Sequence, residues 1–143
     1  MSDYPQPFSR LLHLTAHAWR LAVDRRLKES GLSMSSWLAI ASVATATEPP
    51  TQKALAQLLG LEEASVVPLV DRLVKQQLLA RVQPKEDRRK RLLVLTEQGS
   101  VAFAEVKTQA DALRAQLLKD VEPAELAITE KVLQQLLDRL GSV

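Results

Sequence analysis

Residues 51–96 read TQKALAQLLGLEEASVVPLVDRLVKQQLLARVQPKEDRRKRLLVLT, and the periodicities inside this stretch decide the fold. Pro49-Pro50 closes what precedes it, and Thr51 is placed to cap a helix over Gln52–Leu59 that Gly60 stops. The connection Gly60-Leu61-Glu62 leads to a second helix over Glu63–Gln77, and a short turn containing glycine is what holds two helices crossed. In that second helix Val66, Leu69, Val70, Leu73 and Val74 recur every three or four residues and make one face apolar. Ser65, Arg72, Lys75 and Gln76 stand on the other. Leu79-Ala80-Arg81-Val82-Gln83 and Arg91-Leu92-Leu93-Val94-Leu95 are strand candidates, joined by Pro84-Lys85-Glu86-Asp87-Arg88-Arg89-Lys90. Two helices followed by two strands around a basic loop form the outline of a winged helix-turn-helix.

Charge is concentrated in the same stretch. The chain carries a net charge of +2, but between Arg81 and Arg91 six basic residues face only Glu86 and Asp87, which leaves +4 there and a net acidic remainder. Basic charge gathered on a hairpin beside a helix pair is the footprint expected of a phosphate-binding surface, although a charge run by itself is also the ordinary dress of a solvated loop.

Outward from this stretch the pattern is helical. Residues 1–7 hold two prolines and read as a loose arm. Phe8 to about Glu29 forms a helix whose apolar positions Phe8, Leu12, Trp19, Val23 and Leu27, supported by Leu11, Leu14, Ala18 and Ala22, cover more than one stripe. Gly31 ends it, Ser33 caps the next helix over Met34–Thr45, and Trp37, Ile40, Ala41 and Ala44 are expected inward. After the hairpin, Thr96 caps a long helix from Glu97 to about Lys119, where Gly99 is a mild weakness. Pro123 opens a last helix that carries Leu126, Leu133, Leu136, Leu137 and Leu140 to Gly141. The expected architecture is therefore one domain of 143 residues, mainly α with a small β-hairpin. Residues 51–96 are the winged module, and 8–46 with 97–141 are scaffold and dimerisation helices. The terminal helices offer more apolar surface than the module can cover; a homodimer would cover it, and a monomer whose helices fold back over one another is the alternative. A two-fold dimer would also set two reading helices roughly 34 Å apart, one turn of duplex.

The same residues carry a resemblance. Leu58-Leu59-Gly60-Leu61, Val70-Asp71-Arg72-Leu73, Leu78-Leu79-Ala80-Arg81, Asp87-Arg88-Arg89 and Leu95-Thr96-Glu97-Gln98-Gly99, in that order, resemble the MarR family of bacterial transcription regulators. Trp19-Arg20, Asp24-Arg25-Arg26-Leu27 and Leu32-Ser33 with Trp37 resemble its SlyA-like branch. The resemblance implies a homodimer joined by its terminal helices, bound to pseudo-palindromic double-stranded DNA and often released by a small aromatic acid. By position it implies that Arg89 enters the minor groove, that Asp87 holds it, that Arg81 contacts the DNA backbone and that Ser65 faces base edges. A narrow minor groove concentrates negative potential and favours an inserted guanidinium. Arg72, Lys75, Lys85, Arg88 and Arg91 complete the expected DNA-binding set. Pro68 departs from the pattern, for it falls where SlyA-like proteins carry a base-reading arginine. A proline there donates no hydrogen bond, so either the helix begins late or it is kinked. His17 and Trp37 fall where that branch forms its aromatic-acid pocket.

Other chemistries find little support. His13 and His17 are four apart, a spacing that can chelate a metal, but no nearby carboxylate or cysteine completes a set, and two partly buried histidines at a helix interface is the plainer reading. The chain has no cysteine, no glycine-rich phosphate loop and no nucleophile motif, so neither an enzyme nor a cofactor is expected. It lacks a membrane-length apolar run and a signal peptide, which points to the cytoplasm. A winged module that docks on protein, without sequence-specific DNA binding, is the competing function. Single-stranded RNA would want aromatic platforms, and residues 51–96 hold none.

Overall fold

The computed structural model describes residues 7–141, so the expected N-terminal arm lies outside the described residues but for Pro7, which begins the first helix. Six α-helices and one hairpin follow in order: α1 Pro7–Arg26, α2 Met34–Thr45, α3 Gln52–Leu59, α4 Glu63–Lys75, β1 Leu79–Val82, β2 Leu92–Leu95, α5 Glu97–Leu118 and α6 Pro123–Leu140. Helix α1 ends at Arg26, short of the expected end near Glu29, and a single 3₁₀ turn over Lys28–Ser30 follows it.

Three of the helix starts are made by side chains that satisfy orphan helix amides. Ser33 accepts the N–H of Ser36 at 3.2 Å, Thr51 that of Ala54 at 3.1 Å, and Thr96 that of Gly99 at 2.9 Å. Asp24 reaches across from α1 to accept the N–H of Met34 at 2.7 Å, and Arg20 donates to Ser35 at 2.8 Å, so the start of α2 is tied to α1.

The chain gathers into two compact units, Met1–Asp111 and Ala112–Val143. The first holds the core: Leu27, Ile40, Leu55, Val66, Val70, Leu73, Leu79 and Leu93 are essentially closed to solvent. On α2 the buried face is Ser36, Ala39, Ile40 and Val43, while Trp37, Ala41 and Ala44 are only half-buried. Trp37 is covered instead by Phe103 of α5, ring on ring at 5.5 Å between centroids. The described part of the second unit buries no residue fully.

β1 and β2 pair antiparallel with Leu79 opposite Leu95 and Val82 opposite Leu92. The segment before α3 joins them as a rudimentary third strand, through a bridge between Thr51 and Leu92 and the bond from Leu93 N–H to the Pro50 carbonyl at 2.8 Å. The hairpin is thereby fixed to the start of the helix pair. Gly99 packs so close to the hairpin's base that an added Cβ would lie 2.0 Å from the Leu78 carbonyl oxygen, which makes this glycine a requirement of the packing rather than a weakness in α5.

Candidate nucleic-acid interface

The helix pair owes its crossing to Gly60. Its φ of 66° is a left-handed conformation that costs glycine nothing, and its N–H closes α3 on the Ala56 and Gln57 carbonyls. Leu61 N–H also returns to Ala56 at 2.9 Å, so the chain turns at once into α4. Val66, Leu69, Val70 and Leu73 bury one side of α4. At 3.6 residues per turn this leaves Ala64, Pro68 and Lys75 pointing away from the core, with Val67 and Asp71 on one flank and Ser65 and Arg72 on the other. All seven are exposed.

Helix α4 begins at Glu63 and runs through Pro68 without ending, which removes the late-start explanation for that proline. It stops at Lys75, two residues short of the expected Gln77, because Gln77 adopts φ 63° and turns the chain away. The Gln77 N–H bonds to Val74 and the Leu78 N–H to Leu73, the closing pattern usually served by glycine.

The hairpin is braced from below. Arg81 on β1 donates from Nε and Nη2 to the Gln52 side chain at 3.1 and 2.9 Å and forms an ion pair with Asp71 of α4. One guanidinium thus links β1, the first turn of α3 and the exposed side of α4. The arginine expected to touch DNA backbone spends two of its nitrogens on this brace.

At the tip, Asp87 accepts both the backbone N–H of Arg89 at 3.0 Å and its Nε at 3.3 Å, while the Arg89 side chain remains 93% exposed. The carboxylate holds the stem of the guanidinium and leaves its outer nitrogens to solvent. The pair is too exposed to stabilise the fold by much, so its consequence is direction rather than stability. Gln83 and Arg91 both donate to the Arg88 carbonyl, and Arg91 reaches the Lys90 carbonyl as well, so Arg91 is folded back into the loop. Lys85, Arg88 and Lys90 stand exposed without an ion-pair partner among the described residues. Of the nine positions read from the sequence, the structure gathers Lys85, Asp87, Arg88, Arg89 and Arg91 at the wing, Ser65, Arg72 and Lys75 on α4, and Arg81 between them. Gln52, Asp71 and Gln83, which set Arg81 and the loop, were not anticipated. Their partners lie five to twenty-nine residues away, and no local pattern marks them.

His13 and His17 are both exposed, their rings stacked at 6.5 Å, which differs from the expected half-buried pair. The shallow cavity at His17 is lined from α1 alone and does not reach Trp37. No group of three or more possible metal ligands gathers among the described residues, and no described helix is long and apolar enough to cross a membrane.

A family model for the MarR family matches residues 32–90. Among solved structures, transcriptional regulator PA3341 is 36% identical, covering 95% of this chain and 99% of its own, with a TM-score of 0.86. A MarR family transcriptional regulator from Silicibacter pomeroyi DSS is 27% identical over the full length of both chains, with a TM-score of 0.85. CouR from Rhodococcus jostii RHA1, bound to p-coumaroyl-CoA, shares the fold at 24% identity and a TM-score of 0.86, over 94% of this chain and 95% of its own.

Proposed function

This chain belongs to the MarR family of transcriptional regulators, and from that premise we propose a homodimer that binds a pseudo-palindromic DNA operator. Helix α4 enters the major groove and the wing reaches the flanking minor groove or its phosphates. Arg89 carries this reading: a guanidinium 93% exposed yet aimed by Asp87, on a hairpin tied by Arg81 to both helices of the pair. Arginine presented at a fixed angle beside a reading helix suits a narrow, electronegative groove. Lys85, Arg88 and Lys90 add phosphate contacts, and Arg72 and Lys75 do so from the C-terminal half of α4. The homodimer is supported by the exposed apolar side chains of α1 and α6, among them Phe8, Leu11, Ile128 and Leu137. Within the family we assign the chain to the SlyA-like branch, on Trp19-Arg20 and the Asp24 and Arg20 contacts that seat α2.

Selection of bound duplexes from a random pool at two salt concentrations tests the function. Enrichment of a palindrome with half-sites one turn apart, retained less as salt rises, is the expected result. A pool with no enriched motif and no salt-dependent retention would favour the protein-docking alternative. Release by a small aromatic acid is the effector we propose, with His17 and Trp37 as contacts. A ligand there acts only through a different affinity for two states of the dimer. Aromatic acids that leave both tryptophan fluorescence and operator affinity unchanged at millimolar concentration would remove that effector.

A further inference from the structure

The outward strip of α4 is unusual in what it lacks. A helix-turn-helix reads base edges with the N-terminal residues of its second helix. In this chain that half presents Ala64, Val67 and Pro68, all exposed, with Val67 at 38%. They stand at i, i+3 and i+4 and so form one contiguous apolar strip. Among the side chains from Glu62 to Asp71 the Ser65 hydroxyl is the only neutral donor. Glu62 and Glu63, at the start of the helix, can accept hydrogen bonds but not donate them when ionised. Asp71, next along the outward side, is already held by Arg81. No arginine, lysine, asparagine or glutamine lies between Glu62 and Asp71, so the bidentate contacts that select guanine or adenine have no donor there.

The major-groove feature that an apolar strip does match is the C5-methyl group of thymine. Ala64 to Pro68 spans about 6 Å along the helix axis, close to two base-pair steps at about 3.4 Å each. We propose that α4 specifies its half-site through thymine methyls on adjacent base pairs, packed against Val67 and Pro68, rather than through hydrogen bonds to guanine. The inference rests on the DNA-binding reading above and names what that surface recognises. Pro68 contributes by what it cannot do: it has no N–H to present, and its ring offers only carbon to the groove. Ser65 and the glutamates tune the flanks, and Arg72 lies about a turn further on, where the helix leaves the base edges for the phosphates.

The test uses the duplex recovered by selection, with the thymines of each half-site replaced by 2′-deoxyuridine, which removes the methyl and keeps every hydrogen-bonding edge. Affinity of the intact protein should fall about fourfold for each contacted methyl, the equivalent of one carbon taken from an apolar contact. Deoxyuridine placed outside the half-sites should cost nothing. In Val67→Ala, an exposed position whose truncation spares the core, the penalty at one thymine should shrink towards none. A deoxyuridine duplex bound as tightly as the parent, with 7-deazaguanine in the half-site costing affinity instead, overturns the inference and leaves the DNA-binding function standing. A pool that enriches no motif removes both together.

Discussion

Helices α4 and α6 are both amphipathic and both rich in branched apolar residues, yet one is finished by its own chain and the other is not. On α4, Val66, Leu69, Val70 and Leu73 are buried, and what remains outside is a mixed polar and small apolar strip. On α6 no residue is buried, and Ile128, Leu137 and Leu140 are each more than 60% exposed. A side chain of that size gains about 1.5–3 kcal/mol on full burial, so a face of them left in water is a strong invitation to a partner. In the proposed function the difference separates two duties: α4, seated on the core, is set against DNA, and α6, with its apolar side chains exposed, is completed by a second copy.

Substitutions in the two helices should therefore fail in different ways. Leu73→Ala opens a cavity beneath α4 and should cost about 2–5 kcal/mol in urea unfolding. Leu137→Ala should leave the fold of the isolated subunit within about 0.5 kcal/mol of the parent, as surface changes do, while weakening the dimer more than tenfold by sedimentation. A loss of subunit stability as large as that of Leu73→Ala would mean that α6 is finished within its own chain and would break the comparison.

Arg89→Ala sharpens it from the DNA side. Operator affinity should drop by about 1–3 kcal/mol with the dimer intact, whereas Leu137→Ala should lose operator affinity only through dissociation. Lys85→Ala, if its ammonium meets phosphate, should lower the salt slope of binding by about one, equally for all sequences. Smallest of all, Gln77→Gly relieves a left-handed residue at the end of α4 and should raise stability by about 0.5–1 kcal/mol without altering association.

The parts legible in the sequence were those written locally. Ser33, Thr51 and Thr96 announce helix starts because each cap bonds three residues ahead, and Gly60 announces a stop through its own backbone freedom. The pairing of Asp87 with Arg89 was implied by the family resemblance, and their two-residue separation is a short enough span for the carboxylate to reach both the backbone N–H and Nε of Arg89. The inward face of α2 was not, since nearly every position from Trp37 to Ala44 is apolar and periodicity then says little. Gly99 looked like a minor helix weakness because its reason, the Leu78 carbonyl, lies 21 residues upstream. Arg81 looked like a free phosphate contact because Gln52 is remote in sequence and Asp71 sits a helix and a turn away. What was missed depends on tertiary neighbours, which no local spacing encodes.

In the proposed complex α4 and the wing engage DNA together as one braced unit, twice per dimer. Hydroxyl-radical and methylation protection of the selected duplex tests it most directly. The expected pattern is two major-groove windows on one face of the helix, about one turn apart, each flanked on its outer side by minor-groove protection that disappears in Arg89→Ala while the inner windows persist. A single protected window, or outer protection unchanged in Arg89→Ala, would contradict it.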